Sequence, residues 1–321
     1  YIMLNRVWVV LVLIACTSAL QAQIAWKDVS PEYGLTTPAV RLFRTDALLD
    51  GASNISYYAS VDMKEKRNKA FVDTTFRRRL TPSQFEKRNT GSVITVNCSF
   101  FEFVQNRNVN LIVQNGKTVA YDTPAVSRKG KDTLTYMHTL GSAFGISKSG
   151  KMDIVYNFND SMLSHPYYSQ TVVKPLIDSF AKLSVTDNRL SFLKKWKIYQ
   201  AFGGGPVLVQ NQSVAITNNE ERKFAGKAIQ DKHPRTAIGY TADGKMIILV
   251  VQGRMKGLAE GATLPQLAKI MLELGCVEAM NLDGGGSSCM LVNGKETIKP
   301  SDKEGQRPVP AVLTVSRKEE R

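Results

Sequence analysis

The sequence has few cysteines and no C-x-x-C pair, which argues against a disulfide scaffold and against the common zinc-binding spacings. Only four cysteines occur in 321 residues, and a chain of that length can bury a sizeable core without crosslinks. Cys16 lies in an apolar N-terminal segment, which leaves Cys98, Cys276 and Cys289 for the folded part of the chain. These three form either one disulfide and a free thiol or three buried thiols.

Long apolar runs are also scarce. The most prominent, Val7–Cys16, is shorter than the roughly 20 residues that a transmembrane helix needs. With Arg6 before it and small residues after it, the run is typical of a secretory signal peptide. Cleavage after Ala22 would release an exported soluble protein, periplasmic or secreted. The segment Leu13-Ile14-Ala15-Cys16 also resembles a bacterial lipobox, in which a lipidated Cys16 would anchor a lipoprotein to a membrane.

Acidic residues are few relative to basic ones. The chain has 42 lysines and arginines against 28 aspartates and glutamates, a net charge of +14 and a pI near 9.6. Part of the excess falls in one segment, at Lys64, Lys66, Arg67, Lys69, Arg77, Arg78, Arg79, Lys87 and Arg88. Such a surface is either merely solvated or attracts phosphate-bearing glycans, nucleic acid or an acidic membrane. Because aromatic-interleaved RNA signatures and zinc-finger spacings are absent, nucleic acid is not an expected partner.

Strand and hairpin signals dominate what the sequence does contain. Asn115-Gly116 separates VNLIVQ from TVAY, and Ala242-Asp243-Gly244 separates RTAIGYT from KMIILVVQ. Asn-Gly between such runs is the strongest short-range hairpin signal. Further strands are predicted at 55–63, 93–97, 152–158, 207–210 and 309–315. The pattern predicts an α+β fold, with a mixed, largely antiparallel sheet and a few packed helices.

Three segments have helical signals. Thr81-Pro82 begins a short helix with proline in its first turn, and Thr263 with Gln266 has the capping-box spacing before an apolar stripe. A third helix is predicted over 171–183. Its apolar residues recur at helical spacing, at Val173, Leu176, Ile177, Phe180 and Leu183. The predicted divisions of the chain are a signal peptide at 1–22, an N-terminal extension packed on the main domain at 23–90, and the main domain at 91–321.

The most informative stretch is Cys276–Leu291, where a short apolar strand leads into an aspartate, three glycines and two serines. Consecutive glycines have no folding advantage, since each loses more backbone freedom on folding than any other residue. They suit a place where the backbone turns tightly or a ligand approaches the main chain. Side-chain alternation puts Asn281 and Asp283 on one face of the strand and Glu278 on the other. We predict that Asp283 to Ser288 form the floor of an active site; the alternative is that Asp283 only begins a turn.

Two familiar templates do not fit this stretch. A phosphate-binding P-loop needs Gly-Lys-[Ser/Thr] and then a helix, and no such lysine follows these glycines. A hydrolase elbow around Ser287 needs a glycine where Cys289 stands. Only three histidines, His138, His165 and His233, are available as its base.

Three polar residues outside this stretch are candidate ligand contacts. Arg235 begins an apolar strand, where its guanidinium either clamps a phosphate or carboxylate or simply extends to solvent. Arg254 presents the same two alternatives. Asn97 ends a β-branched strand and is either a turn residue or a ligand contact.

Four motifs place these residues in one context: NLDGGGSS (281–288), RTAIGYTADGK (235–245), GGGPVLV (203–209) and NCSFF (97–101). Together, over about residues 90–318, the sequence resembles the phosphodiester glycosidase family. The resemblance implies hydrolysis of a sugar that is joined through its anomeric carbon to phosphate. Cys98 and Ser99 stand where the family has two glycines, and Gln252 stands where an aspartate is frequent.

The resemblance also implies the site residues. Asp283 would act as a general base on water, or as an anion beside an oxocarbenium-like centre, and Arg235 would neutralise the departing phosphate. A phosphomonoester leaves readily, so the second carboxylate of ordinary glycosidases is less necessary. Substrate contacts are expected at Asn97, Asn281, Gly284, Gly285, Gly286, Ser287, Ser288, Arg254, Thr236 and Gly204.

The expected partner is a phosphate-containing glycan or glycoconjugate. Bacterial members of the family are exported proteins often described as exopolysaccharide-related, in agreement with the leader. No cofactor is established, although Asp283 in a glycine loop can also coordinate a divalent cation such as calcium. Membrane contact is expected only through a lipid on Cys16. The alternative function is a non-catalytic glycan-binding or exopolysaccharide-assembly protein on the same scaffold.

Overall fold

Antiparallel strands make up most of the computed structural model, which describes residues 23–123, 126–127 and 134–318. The first strands in chain order are β1 Lys27–Asp28, β2 Val40–Thr45, β3 Ser56–Asp62, β4 Asn68–Thr74, β5 Ser92–Asn97, β6 Phe101–Glu102, β7 Arg107–Asn108, β8 Ile112–Gln114, β9 Lys117–Ala120, β10 Val126–Ser127, β11 Tyr136–His138, β12 Gly141–Ile146 and β13 Met152–Phe158. The remaining strands are β14 Tyr167–Ser169, β15 Leu176–Asp178, β16 Lys194–Lys195, β17 Gln200–Gly203, β18 Val207–Gln210, β19 Ser213–Val214, β20 Arg235–Thr241, β21 Lys245–Val251, β22 Cys276–Asn281, β23 Met290–Val292, β24 Lys295–Glu296 and β25 Ala311–Arg317.

Helices are few and short. The α-helices in the described part of the chain are α1 Pro82–Arg88, α2 Asn218–Glu221 and α3 Leu264–Glu273. Short 3₁₀ helices occur at Ser30–Tyr33, Asn188–Leu190, Ala228–Gln230 and Gly285–Ser287. The predicted capping threonines are confirmed: Thr81 precedes α1 and Thr263 precedes α3, each within a capping box.

The strands form three main sheets and two small ones. An eight-stranded sheet has the order β1-β2-β3-β21-β20-β22-β18-β19, and a seven-stranded sheet has the order β16-β14-β13-β12-β17-β8-β9. A five-stranded sheet has the order β24-β23-β5-β25-β4. The small sheets are β10-β11-β15 and β6-β7. Every strand pairing in the described ranges is antiparallel.

The fold class differs in part from the prediction. The largely antiparallel sheet is confirmed, and both predicted hairpins form, as β8–β9 and β20–β21. With so little helix, however, the molecule is mainly β rather than α+β. The difference arises because sheets pack on sheets through most of the core, whereas the helices are short: α1 packs on the five-stranded sheet and α3 on the eight-stranded sheet.

Side-chain alternation in the eight-stranded sheet divides the core into two layers. Ile238 and Met280 point to one face, where they pack with residues of the seven-stranded and five-stranded sheets. Ala237 and Ala279 point to the other face, where they pack under the apolar stripe of α3. The central strands β20 and β21 are thus buried on both sides, which explains why their apolar residues are consecutive rather than alternating.

The prediction of a helix over 171–183 is wrong. The segment instead contains the short strand β15, which pairs with β11. Pro175 lies in its middle, where a proline lacks the N–H that a helix interior requires. Two of the five residues in the supposed apolar stripe are also solvent-exposed, at 51% for Ile177 and 70% for Phe180.

Residues 23–90 contribute strands to two sheets. β3 pairs with β2 and with β21, and β4 pairs with β25. The predicted signal peptide at 1–22 and the lipidation of Cys16 lie outside the described residues. Among the residues described, no helix is long and apolar enough to cross a membrane. Cys98, Cys276 and Cys289 are all buried and free, which decides between the two alternatives for these thiols.

Candidate active site

The segment Asp283–Ser288, called the glycine loop below, is held between strand ends from two sheets. On one side the amide of Asp283 donates to the carbonyl of Cys98, just after β5, over 3.0 Å. On the other side the amide of Gly285 donates to the carbonyl of Pro234, just before β20, over 2.8 Å. The glycine loop therefore lies where the eight-stranded and five-stranded sheets meet.

Asn97 joins the same elements through its side chain. Its Nδ2 donates to the carbonyl of Asp283 over 2.6 Å. Its Oδ1 accepts from the Thr236 hydroxyl over 2.9 Å and from the Cys289 amide over 3.1 Å. The Ser288 hydroxyl lies 3.2 Å from that of Thr236. Because Asn97 is only 1% exposed, its amide positions the glycine loop rather than facing solvent.

All three glycines are required by their surroundings. A Cβ on Gly284 would lie 2.9 Å from the carbonyl oxygen of Pro234. Gly285 has a φ of +61°, in the left-handed region that other residues rarely adopt. The guanidinium of Arg254 lies over it, 2.9 Å from the place a Cβ would occupy. A Cβ on Gly286 would collide with the paired side chains of Arg307 and Asp302. Gly285 and Gly286 thus let two arginines approach the loop backbone.

Asp283 begins the glycine loop and is partly exposed as a residue. Burial raises the pKa of Asp283 to about 6. A hydrogen bond with Ser287, the charge of Arg307 and the amide of Gly284 act in the opposite direction. A carboxyl whose pKa lies near neutrality can accept or donate a proton at working pH, which is what general acid–base chemistry requires.

Arg307 and Asp302 support the glycine loop, and neither was predicted. Nε and Nη2 of Arg307 donate to the two carboxylate oxygens of Asp302 over 2.7 and 3.0 Å. Nη1 of Arg307 donates to the Ser287 hydroxyl over 3.4 Å. This two-point pair keeps a fixed positive charge beside Asp283. Both residues follow the loop in sequence and belong to no recognisable motif, so only the folded chain identifies them.

Arg235, the first residue of β20, is 3% exposed. Its Nε and Nη2 donate to the carbonyls of Ala262 and Asp231 over 2.9 and 2.8 Å. The ring of Phe224 lies 5.9 Å from its guanidinium carbon. Burial lowers the pKa of Arg235 to about 10, so the group stays charged at neutral pH. Its Nη1 has no hydrogen-bond partner within the described residues.

Arg254 is the exposed counterpart of Arg235. In the described ranges no carboxylate lies within 4.0 Å of either guanidinium. Burial and then the charges of these two arginines lower the pKa of His233, which favours its neutral form. Two arginines without a carboxylate partner beside an open loop form a place where an anion would be stabilised.

The structure gathers the predicted site residues but buries most of them. The buried ones are Asn97, Gly204, Arg235, Thr236, Asn281, Gly286, Ser287 and Ser288. Asp283, Gly284 and Gly285 are partly exposed. Asn281 donates to the carbonyl of Gly205 over 2.9 Å, and Gly204 packs closely on Asn281. The exposed members are therefore the ones that can touch a ligand directly, and the buried ones shape the loop.

Glu278 lies away from this loop. Its carboxylate accepts from the amide of Ile154 over 3.0 Å and from the Tyr240 hydroxyl over 2.6 Å, between two sheets. It is therefore not an acidic partner for Asp283, as strand alternation predicted.

A further wall of the site consists of aromatic and basic residues. The ring of Phe100 meets that of Phe224 edge to face at 6.2 Å, and the ammonium of Lys223 lies 5.8 Å from the Phe100 centroid. Gly205 lies beside Lys223 and Glu221. The buried carboxylate of Glu221 accepts hydrogen bonds from Ser142, Val207 and Thr217, which fixes this wall. Neither Lys223 nor Phe224 carries a sequence signal that we recognised.

The donor set of the glycine loop is poor for a metal ion. Asp302 is engaged by Arg307, so Asp283 is the carboxylate that remains. In the described part of the chain, no group of three or more His, Cys, Asp or Glu side chains is arranged to hold a metal. Calcium binding at Asp283 stays a prediction.

A separate cleft of about 800 Å³ lies at the other end of β20. Tyr240 and Tyr168 line it, together with Lys64 and Asp153. It shares no residue with the glycine loop and is not assigned to the same chemistry.

The chain is similar in sequence to known proteins. A family model described as phosphodiester glycosidase matches residues 90–316, well over half of the chain. The chain is 42% identical over 85 residues to the SPbeta prophage-derived uncharacterized protein YomE of Bacillus subtilis (strain 168), covering 26% of this chain and 13% of that protein. It is 27% identical over 117 residues to N-acetylglucosamine-1-phosphodiester alpha-N-acetylglucosaminidase of Bos taurus, covering 36% of this chain and 22% of that protein. Each match thus spans less than a quarter of the relative's length.

Solved structures share the fold. The zebrafish N-acetylglucosamine-1-phosphodiester alpha-N-acetylglucosaminidase catalytic domain, auto-inhibited by its pro-peptide, superposes with a TM-score of 0.58 at 20% identity over 88% of this chain and 85% of that one. A hypothetical protein from Synechocystis superposes with the same TM-score at 15% identity, over 88% of this chain and 63% of that one. With the family match over residues 90–316, the chain belongs to the phosphodiester glycosidase family.

Proposed function

We propose that the protein is an exported hydrolase that cleaves sugar-1-phosphodiester bonds in a glycan or glycoconjugate, in the periplasm or at the cell surface. One observation carries the proposal. A carboxyl with a raised pKa, Asp283, and an arginine without a carboxylate partner among the described residues, Arg254, meet at the glycine loop. A second such arginine, Arg235, is close enough for its charge to interact with that of Arg254. Family membership supports the same reaction class.

In the proposed reaction, water attacks the anomeric carbon while Asp283 accepts a proton from that water. The bond between the anomeric carbon and the phosphate oxygen breaks, and its electron pair leaves with the phosphomonoester. The proton on Asp283 then passes to solvent, which restores the carboxylate. The phosphomonoester is a weaker base than a sugar alkoxide, so no second carboxyl has to protonate it.

The two arginines have different parts in this proposal. Arg254 is exposed over Gly285 and contacts the phosphate directly. Arg235 is buried and supplies a fixed charge, with Nη1 as its one uncommitted nitrogen. Preorganised charges of this kind stabilise the negative charge that develops on the leaving group.

The catalytic role is tested with Asp283→Asn. Loss of the base should lower kcat/KM for a sugar-1-phosphodiester by about 100- to 10,000-fold. Released sugar is measured over a small panel of such substrates. The control is Asp243→Asn, which removes an exposed turn carboxylate at the far end of the β20–β21 hairpin and should leave turnover unchanged. Near-full activity of Asp283→Asn would remove the assignment.

The phosphate role is tested with Arg254→Gln. The variant should lose roughly 100-fold in kcat/KM on phosphodiesters. Inhibition by inorganic phosphate should weaken, whereas inhibition by the free neutral sugar should not change. Arg44→Gln, which removes a surface arginine paired with Asp46, is the control. Equal weakening for phosphate and neutral sugar would show that Arg254 does not recognise the phosphate.

The same substrate panel distinguishes hydrolysis from the alternative function, which is non-catalytic. Binding of a phosphate-linked glycan without release of sugar from any substrate would favour a glycan-binding or exopolysaccharide-assembly protein.

A further inference from the structure

An exposed face of aromatic and basic side chains lies beside the glycine loop. Its apolar members are strongly exposed, at 83% for Phe76, 55% for Phe103 and 90% for Val104. Four arginines flank them. We call this set the aromatic–arginine face: Phe76, Arg77, Arg78, Arg79, Phe103, Val104 and Arg107.

The aromatic–arginine face is continuous, although its members come from two chain segments. Phe76 follows β4, whereas Phe103 and Val104 lie in the turn between β6 and β7. The guanidinium carbon of Arg79, from the first segment, lies 5.0 Å from the Phe103 ring centroid, in the second. Phe76 and Arg107 also line one cleft.

This face adjoins the site. The guanidinium carbon of Arg307 lies 5.7 Å from the Phe103 centroid, while its Nη1 reaches Ser287 in the glycine loop. The Arg307 side chain therefore contacts both the β6–β7 turn and the glycine loop that contains Asp283.

The face carries more positive charge than negative charge. Glu102 precedes Phe103 and is the one acid in the segments 76–79 and 102–107 that supply the face; it lies 3.7 Å from Arg107. Within the described ranges, no carboxylate lies within 4.0 Å of Arg77 or Arg78. Arg77 instead stands over the ring of Phe76 at 5.2 Å. Its charge is thus available to an external anion.

We propose that the aromatic–arginine face docks the protein on an anionic phospholipid surface. Exposed apolar side chains grouped on one face indicate a binding surface rather than ordinary solvent contact. Aromatic and aliphatic side chains with flanking arginines suit the headgroup region of a bilayer, where rings enter the interface and cations meet phosphates. A hydrated acidic polysaccharide would use the arginines but would leave Val104 without a role. Docking does not depend on the proposed hydrolysis, so the two can fail separately.

Penetration of the turn into lipid is tested with Val104→Trp in the full chain. On addition of vesicles that contain phosphatidylglycerol, the tryptophan emission should shift to shorter wavelength, and phosphatidylcholine vesicles should produce no shift. Val214→Trp is the matched control, because Val214 is also exposed, at 50%, but lies outside the face. The apolar run at 7–16 can itself enter lipid, but its insertion would not shift the emission of a tryptophan at position 104. Unchanged Val104→Trp emission while the protein sediments with vesicles would overturn the proposal.

The electrostatic part is tested with the double variant Arg77→Gln, Arg78→Gln. Each basic residue near an anionic surface contributes roughly fivefold to partitioning, so the vesicle partition coefficient should fall roughly 25-fold. The control is Lys194→Gln, Lys195→Gln, which removes the same charge from β16. That strand is at one edge of the seven-stranded sheet, and β9, whose Val119 lines the same cleft as Phe76, is at the opposite edge.

Equal losses for the two double variants would also overturn the proposal, because they would indicate only a response to net charge. If Val104→Trp ignores vesicles and the arginine variant instead loses binding to soluble dextran sulfate, the face binds an acidic polysaccharide and the lipid proposal is wrong. All four substituted basic side chains are exposed, so thermal melting should confirm an unchanged fold in both variants.

Discussion

Asp283 and Arg235 are ionisable groups that the fold removes in large part from water, and their pKa values shift in the directions that favour the neutral forms. Burial raises the pKa of Asp283 and lowers the pKa of Arg235. Such placement costs stability, but it leaves charges that respond strongly to a substrate because little water screens them.

The raised pKa of Asp283 has a consequence for stability. Between about pH 4 and 6 the folded chain holds this proton more tightly than the unfolded chain does, so the contribution of Asp283 is favourable in acid and is lost as the pH rises through about 6. Asp283→Asn should therefore raise the free energy of unfolding at pH 7.5 by about 1–3 kcal/mol, with a smaller gain at pH 4. Urea denaturation at the two pH values measures this.

Asp243→Asn is again the control, since a hydrogen bond with Lys245 lowers the pKa of Asp243 and its loss should bring no gain at pH 7.5. If Asp283→Asn were no more stable than the parent at pH 7.5, the ionised carboxylate would not be destabilising in the fold.

At the level of elements, helix α3 shows how a local signal and tertiary burial act together. The Thr263 hydroxyl accepts from the Gln266 amide over 3.2 Å, and the Gln266 side chain accepts from the Thr263 amide over 2.9 Å. Its apolar stripe is then buried on the eight-stranded sheet. The segment at 171–183 has a comparable apolar spacing but contains Pro175, and it forms no helix.

The cap of α3 should be measurable by itself. Thr263→Ala removes the side-chain acceptor for the Gln266 amide and should lower the free energy of unfolding by about 1 kcal/mol. Thr263→Ser keeps the hydroxyl and should lower the free energy of unfolding by only a few tenths of a kcal/mol. Urea denaturation of both variants checks this, and equal losses would show that the threonine methyl, rather than the cap, stabilises the helix.

In the molecule as a whole, the active site is a product of sheet packing. β5 belongs to the five-stranded sheet and β20 to the eight-stranded sheet, and the glycine loop is bonded to both. The side chain of Asn97 connects the same elements through three hydrogen bonds. The position of Asp283 therefore depends on how two sheets meet, and not on its own strand alone.

Asn97→Ala tests this dependence. It leaves the Thr236 hydroxyl and the Cys289 amide without their acceptor, so the free energy of unfolding should fall by about 2–4 kcal/mol. Turnover should fall as well, because the loop backbone loses its support. Gln114→Ala is the matched control. It removes one hydrogen bond between strands, from the Gln114 side-chain amide to the Val72 carbonyl, and should lower the free energy of unfolding by about 1 kcal/mol. A loss in Asn97→Ala no greater than that of the control would contradict the role of Asn97.

The sequence by itself determined the features that depend on neighbours along the chain. Hairpin turns such as Asn115-Gly116 and the threonine caps are local, and each formed where it was predicted. The glycine motif likewise identified the family and placed Asp283 at a loop. One local signal misled: the apolar spacing at 171–183 predicted a helix although the segment contains Pro175.

Tertiary structure alone decided which polar residues meet. The Arg307–Asp302 pair sits on Gly286 because a later segment folds back over the glycine loop, and nothing in either segment predicts the other. Burial also separated Arg254, which is exposed over the loop, from Arg235, which is buried and donates to two carbonyls outside the loop. Exposure and unneutralised charge are properties of the packed molecule, because they depend on groups distant in sequence that displace water or supply a counter-charge.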